Sequence, residues 1–254
     1  MSGKPFVVAA TIAKNRAWTL PRWCAALHAQ TRPVDAVAVL LNDCTDDSFD
    51  VAFASMFAEP WNEIPRSCWT YNTGDKGNDR IAPRYSIANL AYLRNTLISR
   101  VLEQWPQASH IWSVDSDLLP APNVLALLLS ADLPVVAAVV ANNAQGTALN
   151  YMLGWRERLA GEDGERGTGY VKHVHRNGRE RDVLARTEPV QVAMTGACVL
   201  VKREVLDAGV SYADHPQGED IAWSLDAQAK GFLLAVHPAA RTRHTQADGS
   251  EWRV

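Results

Sequence analysis

Short apolar runs alternate with stretches whose apolar residues recur every three or four positions, through the first half of the chain. Residues 6–12 read as a buried strand, and residues 20–30 carry Leu20, Trp23, Cys24 and Leu27 at helical spacing. Thr19 stands where an N-cap belongs, with Pro21 in the first turn. Residues 34–41 and 67–71 read as a second and a third strand. The clearest helix is 86–105, where Leu90, Leu97, Val101 and Trp105 lie on one stripe. Strands at 110–114 and 133–140 follow, with a helix at 123–129 between them. Strands separated by helices predict an α/β fold with a mostly parallel sheet covered on both faces.

The pattern breaks after Asn142. Residues 143–188 are polar, glycine-rich and mixed in charge. Tyr170 to His175, Asn177-Gly178 and Asp182-Val183-Leu184 together predict a hairpin. The stretch reads as an inserted hairpin with loops over the active-site edge, in which the glycines between 161 and 169 predict a mobile lid. Tyr151 and Trp155, at its start, are expected to pack in the interior, with stacking on a ligand as the alternative. Residues 189–195 and 197–202 restore the sheet, and 219–230 form a last helix stopped by Gly231. One domain is expected over 1–254, made of a half at 5–142, the insert at 143–188 and a second half at 189–254.

Composition narrows the class. With 254 residues, 47% hydrophobic and 21% charged, the chain can bury a large core. A net charge of −3 lacks the overall basic character of a nucleic-acid binder. The cysteines Cys24, Cys44, Cys68 and Cys198 are scattered, which favours reduced thiols over a disulfide framework. The longest apolar stretch, 133–141, falls well short of the roughly 20 residues that span a bilayer. The expectation is a cytoplasmic protein with no transmembrane segment.

Chemistry concentrates where strands end. Asp115-Ser116-Asp117 closes the run 110–114, so two carboxylates stand where ligands bind in open α/β sheets. Such oxygens can hold a divalent cation, and the cation a diphosphate. Among 17 aspartates about one D-x-D arises by chance, so the flanks must decide. After the first strand come Thr11, Asn15 and Arg16, and after the second Asn42 and Asp43, whose acceptors suit a base edge or ribose hydroxyl. Asp47 or Ser48 can cap a helix there. Arg94 interrupts the apolar stripe of the long helix and can reach a phosphate or pin an acidic loop. Glu219-Asp220 opens the last helix, where acids are favoured electrostatically and where one can also serve as a general base.

Five segments in this order resemble GT-A glycosyltransferases, in particular their large inverting superfamily. They are N-D-C-T-D-D-S from Asn42, L-R-N from Leu93, V-D-S-D-L-L-P-A-P from Val114, M-T-G-A-C-V-L-V-K from Met194 and G-E-D-I-A-W-S-L from Gly218, followed by R-T-R-H ending at His244. The resemblance implies a Rossmann-like sheet and transfer of a sugar from a nucleoside diphosphate of UDP or GDP type, with Mn²⁺ or Mg²⁺. It implies nucleotide contacts at Thr11 and Asp43 and a pyrophosphate contact at Arg94. Asp117 and His244 would be metal ligands, with Asp115 nearer the ribose or the metal's water shell. Gly196 would lie beside the donor sugar, and Asp220 would be the base, oriented by Glu219. N-D stands where D-D is commoner, which leaves the nucleobase open.

The acceptor stays open between a glycan, a small molecule and nucleic acid. Lys172, Arg176, Arg179, Arg181 and Arg186 with two histidines form a locally basic stretch, which is what keeps modified bases among the candidate acceptors. A nucleotidyltransferase would need a glycine-rich phosphate loop after the first strand, where T-I-A-K-N-R stands instead. A non-catalytic sugar-binding protein on the same fold is the remaining alternative.

Overall fold

The computed structural model describes residues 4–58, 60–74, 86–146, 148–157, 171–173 and 182–254. β1 (Val7–Ala13) and β2 (Ala36–Leu41) are buried along their whole lengths. A strand covered on both faces needs no polar alternation, which is why each reads as a continuous apolar run. Between them lies α1 (Leu20–His28), whose residues Leu20, Trp23, Cys24 and Leu27 are buried as the spacing predicts. Thr19 is its N-cap position but makes no capping bond; its hydroxyl lies 3.2 Å from that of Thr245 instead. α2 (Ser48–Phe57) and β3 (Arg66–Thr70) follow. α3 (Ile87–Gln104) begins at Ser86, whose hydroxyl accepts from Asn89 N–H at 3.2 Å.

The remaining elements are β4 (His110–Val114), β5 (Leu118–Pro120), α4 (Val124–Ser130), β6 (Val135–Val140), β7 (Tyr151–Met152), β8 (Trp155–Glu157), β9 (Val171–His173), β10 (Val190–Val192), β11 (Met194–Thr195) and β12 (Cys198–Lys202). Then come α5 (Arg203–Asp207), α6 (Glu219–Ala229), β13 (Leu234–Thr245) and β14 (Glu251–Trp252). α6 ends as Gly231 predicts. With φ at +86°, Gly231 donates to Gln228 O and Phe232 N–H donates to Ala227 O, which satisfies two terminal carbonyls.

The main sheet runs β10-β13-β6-β12-β4-β1-β2-β3. β3, β2, β1 and β4 are parallel, β12 is antiparallel between β4 and β6, and β13 is parallel to β6. Alternate residues of β1 enter two cores. Val7 and Ala9 pack with Trp23, Leu27 and Trp112, and Val8, Ala10 and Ile12 pack with Leu93, Leu97 and Val101 of α3. Trp112, fully buried in β4, ties the first core together; Trp112→Ala there corresponds to about 3–5 kcal/mol. A third core joins β6 and β13 to Trp223 of α6.

The hairpin forms with a different partner from the one expected. β9 pairs antiparallel with β8, which precedes it, while residues 182–184 form no strand and Val183 is buried in the third core. Alternation marks a strand but not its partner, because pairing is settled by contacts remote in sequence. The turn at Asn177-Gly178, the glycines between 161 and 169, and Arg176, Arg179 and Arg181 lie outside the described residues. Among the described residues no helix is long and apolar enough to cross a membrane.

Candidate active site

β1 has β2 on one side and β4 on the other, so the order of the sheet reverses between β1 and β4. Crevices open at the carboxyl ends of strands at such a point. A cavity of about 490 Å³ opens there, lined by the loop after β1, the turn after β4 and the start of α6. Arg16, Arg94, the four acids Asp115, Asp117, Glu219 and Asp220, and Ser116, Gly196 and His244 all line it.

The acidic triplet forms a turn in which Leu118 N–H donates to Asp115 O at 2.9 Å. β13 holds it from the far side, since both the N–H and the hydroxyl of Thr245 donate to Asp117 O at 2.9 Å. This registry brings His244 Nε2 to 3.8 Å from Asp117 Oδ1. The other ring nitrogen, Nδ1, lies 3.1 Å from Ala141 O. A carbonyl only accepts, so Nδ1 donates, and Nε2 is the ring atom turned toward the carboxylate. The ring is also fixed by an edge contact with Trp252 at 5.1 Å. Asp117 and His244 would thus offer an oxygen and a nitrogen to a divalent cation.

Asp115 is oriented differently. Among the described residues no group of three or more His, Cys, Asp or Glu side chains is drawn together to hold a metal by protein ligands alone. Oδ1 of Asp115 instead accepts from Arg94 Nη2 at 3.0 Å. Arg94, only 8% exposed, also donates through Nε to Glu219 Oε1 at 2.9 Å. Its guanidinium carbon lies 5.4 Å from the ring centre of Tyr212. Burial works against its charge, yet Asp115, Glu219 and Asp220 outweigh that effect and hold the guanidinium pKa well above its ordinary value. Arg94 is thus a buried cross-brace, not a surface arginine. Its neighbour Asn95 clamps the backbone of Tyr212 with two bonds, at 2.8 and 2.9 Å.

Asp220 stands in the first turn of α6, beyond Gly218 at φ +128°. Burial, reinforced by the adjacent Glu219 carboxylate, raises its pKa to about 8. The carboxylate packs on Gly196 so closely that a Cβ there would lie 2.1 Å from Oδ2. Next to that glycine, Ala197 takes φ +70°, and its carbonyl accepts from Asp115 N–H at 2.9 Å. A left-handed alanine costs of order 1–3 kcal/mol and persists where the surroundings over-determine it. Asp115 is raised as well, by burial, with Arg94 acting against the shift.

Thr11, Asn15, Asn42 and Asp43 do not line this cavity. They tie together the ends of β1, β2 and β3. The Thr11 hydroxyl turns back to Ile12 O, and Asn15 Oδ1 accepts from Thr45 N–H at 2.8 Å. Asn42 Nδ2 donates to Tyr71 O at 2.7 Å. Asp43 accepts from Thr73 N–H, Thr73 Oγ1 and Gly74 N–H, at 3.1, 2.8 and 3.1 Å. Asn42 Oδ1 is buried with no donor among the described residues. Sequence reasoning missed Asn150, whose Nδ2 donates to Ala138 O and Gly196 O while Oδ1 accepts from Val140 N–H. It also missed Lys14, Asn142 and Gln217 in the cavity wall, of which Asn142 carries a signal by standing just after β6.

No protein-family model matches the chain, and no curated protein matches its sequence. Solved structures match its fold. S. aureus TarS 1–349, in complex with UDP-GlcNAc, aligns with a TM-score of 0.58 and 13% identity over 96% of this chain and 59% of that one. GalNAc-T7, with UDP, GalNAc and Mn²⁺, gives 0.60 and 14% over 94% of this chain and 44% of that one. A mycobacterial protein gives 0.52 and 16% over 95% and 68%. The chain spans 59% of the TarS fragment and 44% of the GalNAc-T7 chain. At these identities the likeness is one of fold, and that fold is GT-A, a mainly parallel sheet flanked by helices.

Proposed function

We propose that the chain is a glycosyltransferase that moves a sugar from a nucleoside-diphosphate sugar to an acceptor hydroxyl with inversion. One observation carries the reading. A single cavity joins a cation-ready pair, Asp117 and His244, to a carboxylate whose proton affinity is raised to about 8, Asp220. Similarity to folds solved with UDP-GlcNAc and with UDP, GalNAc and Mn²⁺ supports a donor of UDP type.

The chain's own residues have distinct tasks. Asp117 and His244 would hold Mn²⁺ or Mg²⁺, which supplies positive charge to the departing diphosphate. Asp220 takes the proton from the acceptor hydroxyl as its oxygen attacks the anomeric carbon. The bond from that carbon to the β-phosphate oxygen breaks, and the nucleoside diphosphate leaves with the electron pair. A base is most effective when its pKa lies near the working pH, and a buried aspartate near 8 is far stronger than an exposed one. Arg94 holds Glu219 beside it and fixes the start of α6 against the acidic turn. Gly196 leaves the space into which the base reaches.

The test is a thermal-shift screen of UDP and GDP with Mn²⁺ or with EDTA. Bound ligand raises apparent stability by mass action. The expected outcome is stabilisation by UDP that depends on the cation and is lost in Asp117→Ala. Equal stabilisation with and without cation would remove Asp117 and His244 from the donor site.

A further inference from the structure

Arg16 stands in the loop after β1, and its backbone is anchored independently of its side chain, since its N–H donates to Ser48 Oγ at 2.7 Å. The side chain, 11% exposed, crosses to Asp117, with Nη2 3.2 Å from Oδ2. Nη1 donates to Lys14 O at 3.1 Å. Nε is buried with no acceptor among the described residues. A buried donor left unmade is costly, and an arginine fork with donors to spare is suited to a phosphate. The carboxylate it holds is the one whose other oxygen faces His244 Nε2. A divalent cation and a guanidinium on one carboxylate repel each other at that range.

We propose that Arg16 is a counter-ion latch, neutralising Asp117 while no cation is bound and turning its guanidinium to the donor diphosphate when a cation displaces it. The inference rests on the donor site proposed above. It makes Arg16 oppose the cation alone and favour the diphosphate, two effects of opposite sign from one side chain. By linkage, the cation and the diphosphate then each raise the affinity for the other by the same factor.

The test measures Mn²⁺ binding to the full chain without nucleotide, from the magnetic resonance signal of the free ion, and then UDP binding at saturating Mn²⁺. Arg16→Gln is expected to bind Mn²⁺ alone about tenfold tighter and UDP about tenfold weaker than the parent. Arg16→Lys, which keeps the charge without the fork, is expected to hold the parental Mn²⁺ affinity and still lose UDP. Asp117→Ala is the control. If it leaves Mn²⁺ binding unchanged, the cation site falls and the latch with it. If it weakens Mn²⁺ binding while Arg16→Gln leaves it unchanged or weaker, the latch is overturned and the donor site stands.

Discussion

Arg94 and Arg16 reach the same cavity from different walls, one from the middle of α3 and one from the loop after β1. Arg94 meets two carboxylates and an aromatic face, and Glu219 and Asp115 lie 2.9 and 3.0 Å away from its nitrogens. Arg16 meets one carboxylate and two backbone carbonyls, and its Nε has no acceptor among the described residues. A guanidinium surrounded by fixed acids braces a fold, because moving it would strand buried charge. A guanidinium with donors in reserve is suited to exchanging partners. One side-chain type thus serves a rigid end of the site, where the base is proposed, and an adjustable end, where the donor is proposed to bind.

The sharpest way to break this contrast is at the base. Asp220→Asn keeps the shape but cannot take a proton, and transfer is expected to fall by about 10²–10⁴ with donor affinity unchanged. In the parent, transfer should climb with pH and level off above about 8, where Asp220 has lost its proton. The same shift acts on stability with a definite sign. A carboxyl raised in the folded state binds a proton there that the unfolded chain releases, so stability falls as pH rises from the ordinary carboxylate range toward about 8. Asp220→Asn should remove that slope and melt higher than the parent at alkaline pH. Near-normal transfer in this variant would move the base elsewhere, with Glu219 next.

A second comparison sets the arginines against each other in urea. Arg94→Met is expected to lose about 3–5 kcal/mol, because it strands buried acids. Arg16→Gln should lose less, because Arg16 holds one carboxylate where Arg94 holds two. Equal losses would erase the distinction between brace and latch. A further break is Gly196→Ala, whose new methyl would press on Asp220 Oδ2. Overpacking of this kind costs about 1–3 kcal/mol, and transfer should drop while Mn²⁺ binding holds.

Much of this architecture is legible in the sequence because it is local. The apolar run of β4 predicts its own bounds, and Ser86 caps α3 where the stripe starts. Acids after β4 and at the head of α6 announce themselves by position. Partner choice is not local. Nothing around residue 115 distinguishes Asp115, paired to an arginine 21 positions earlier, from Asp117, which faces a histidine on the last long strand. Asn150 is unremarkable in a polar stretch and acquires meaning only by bridging β6 to Gly196. Thr11 and Asn42 stand near strand ends but turn their groups inward, a choice made by packing.

β13 steps four residues, from His237 to Arg241, while β6 steps one. This bulge, containing Pro238, separates the stretch that builds the core from the stretch that carries His244 into antiparallel pairing with Leu118. Side chains alternate faces along a strand, so a single residue gained or lost between Arg241 and His244 would send the imidazole to the wrong side. The same change among residues 238–240 falls where the ladder is already interrupted. Length variation is therefore tolerable on one side of Arg241 and ruinous on the other, a boundary that insertions of one alanine on either side of it would map.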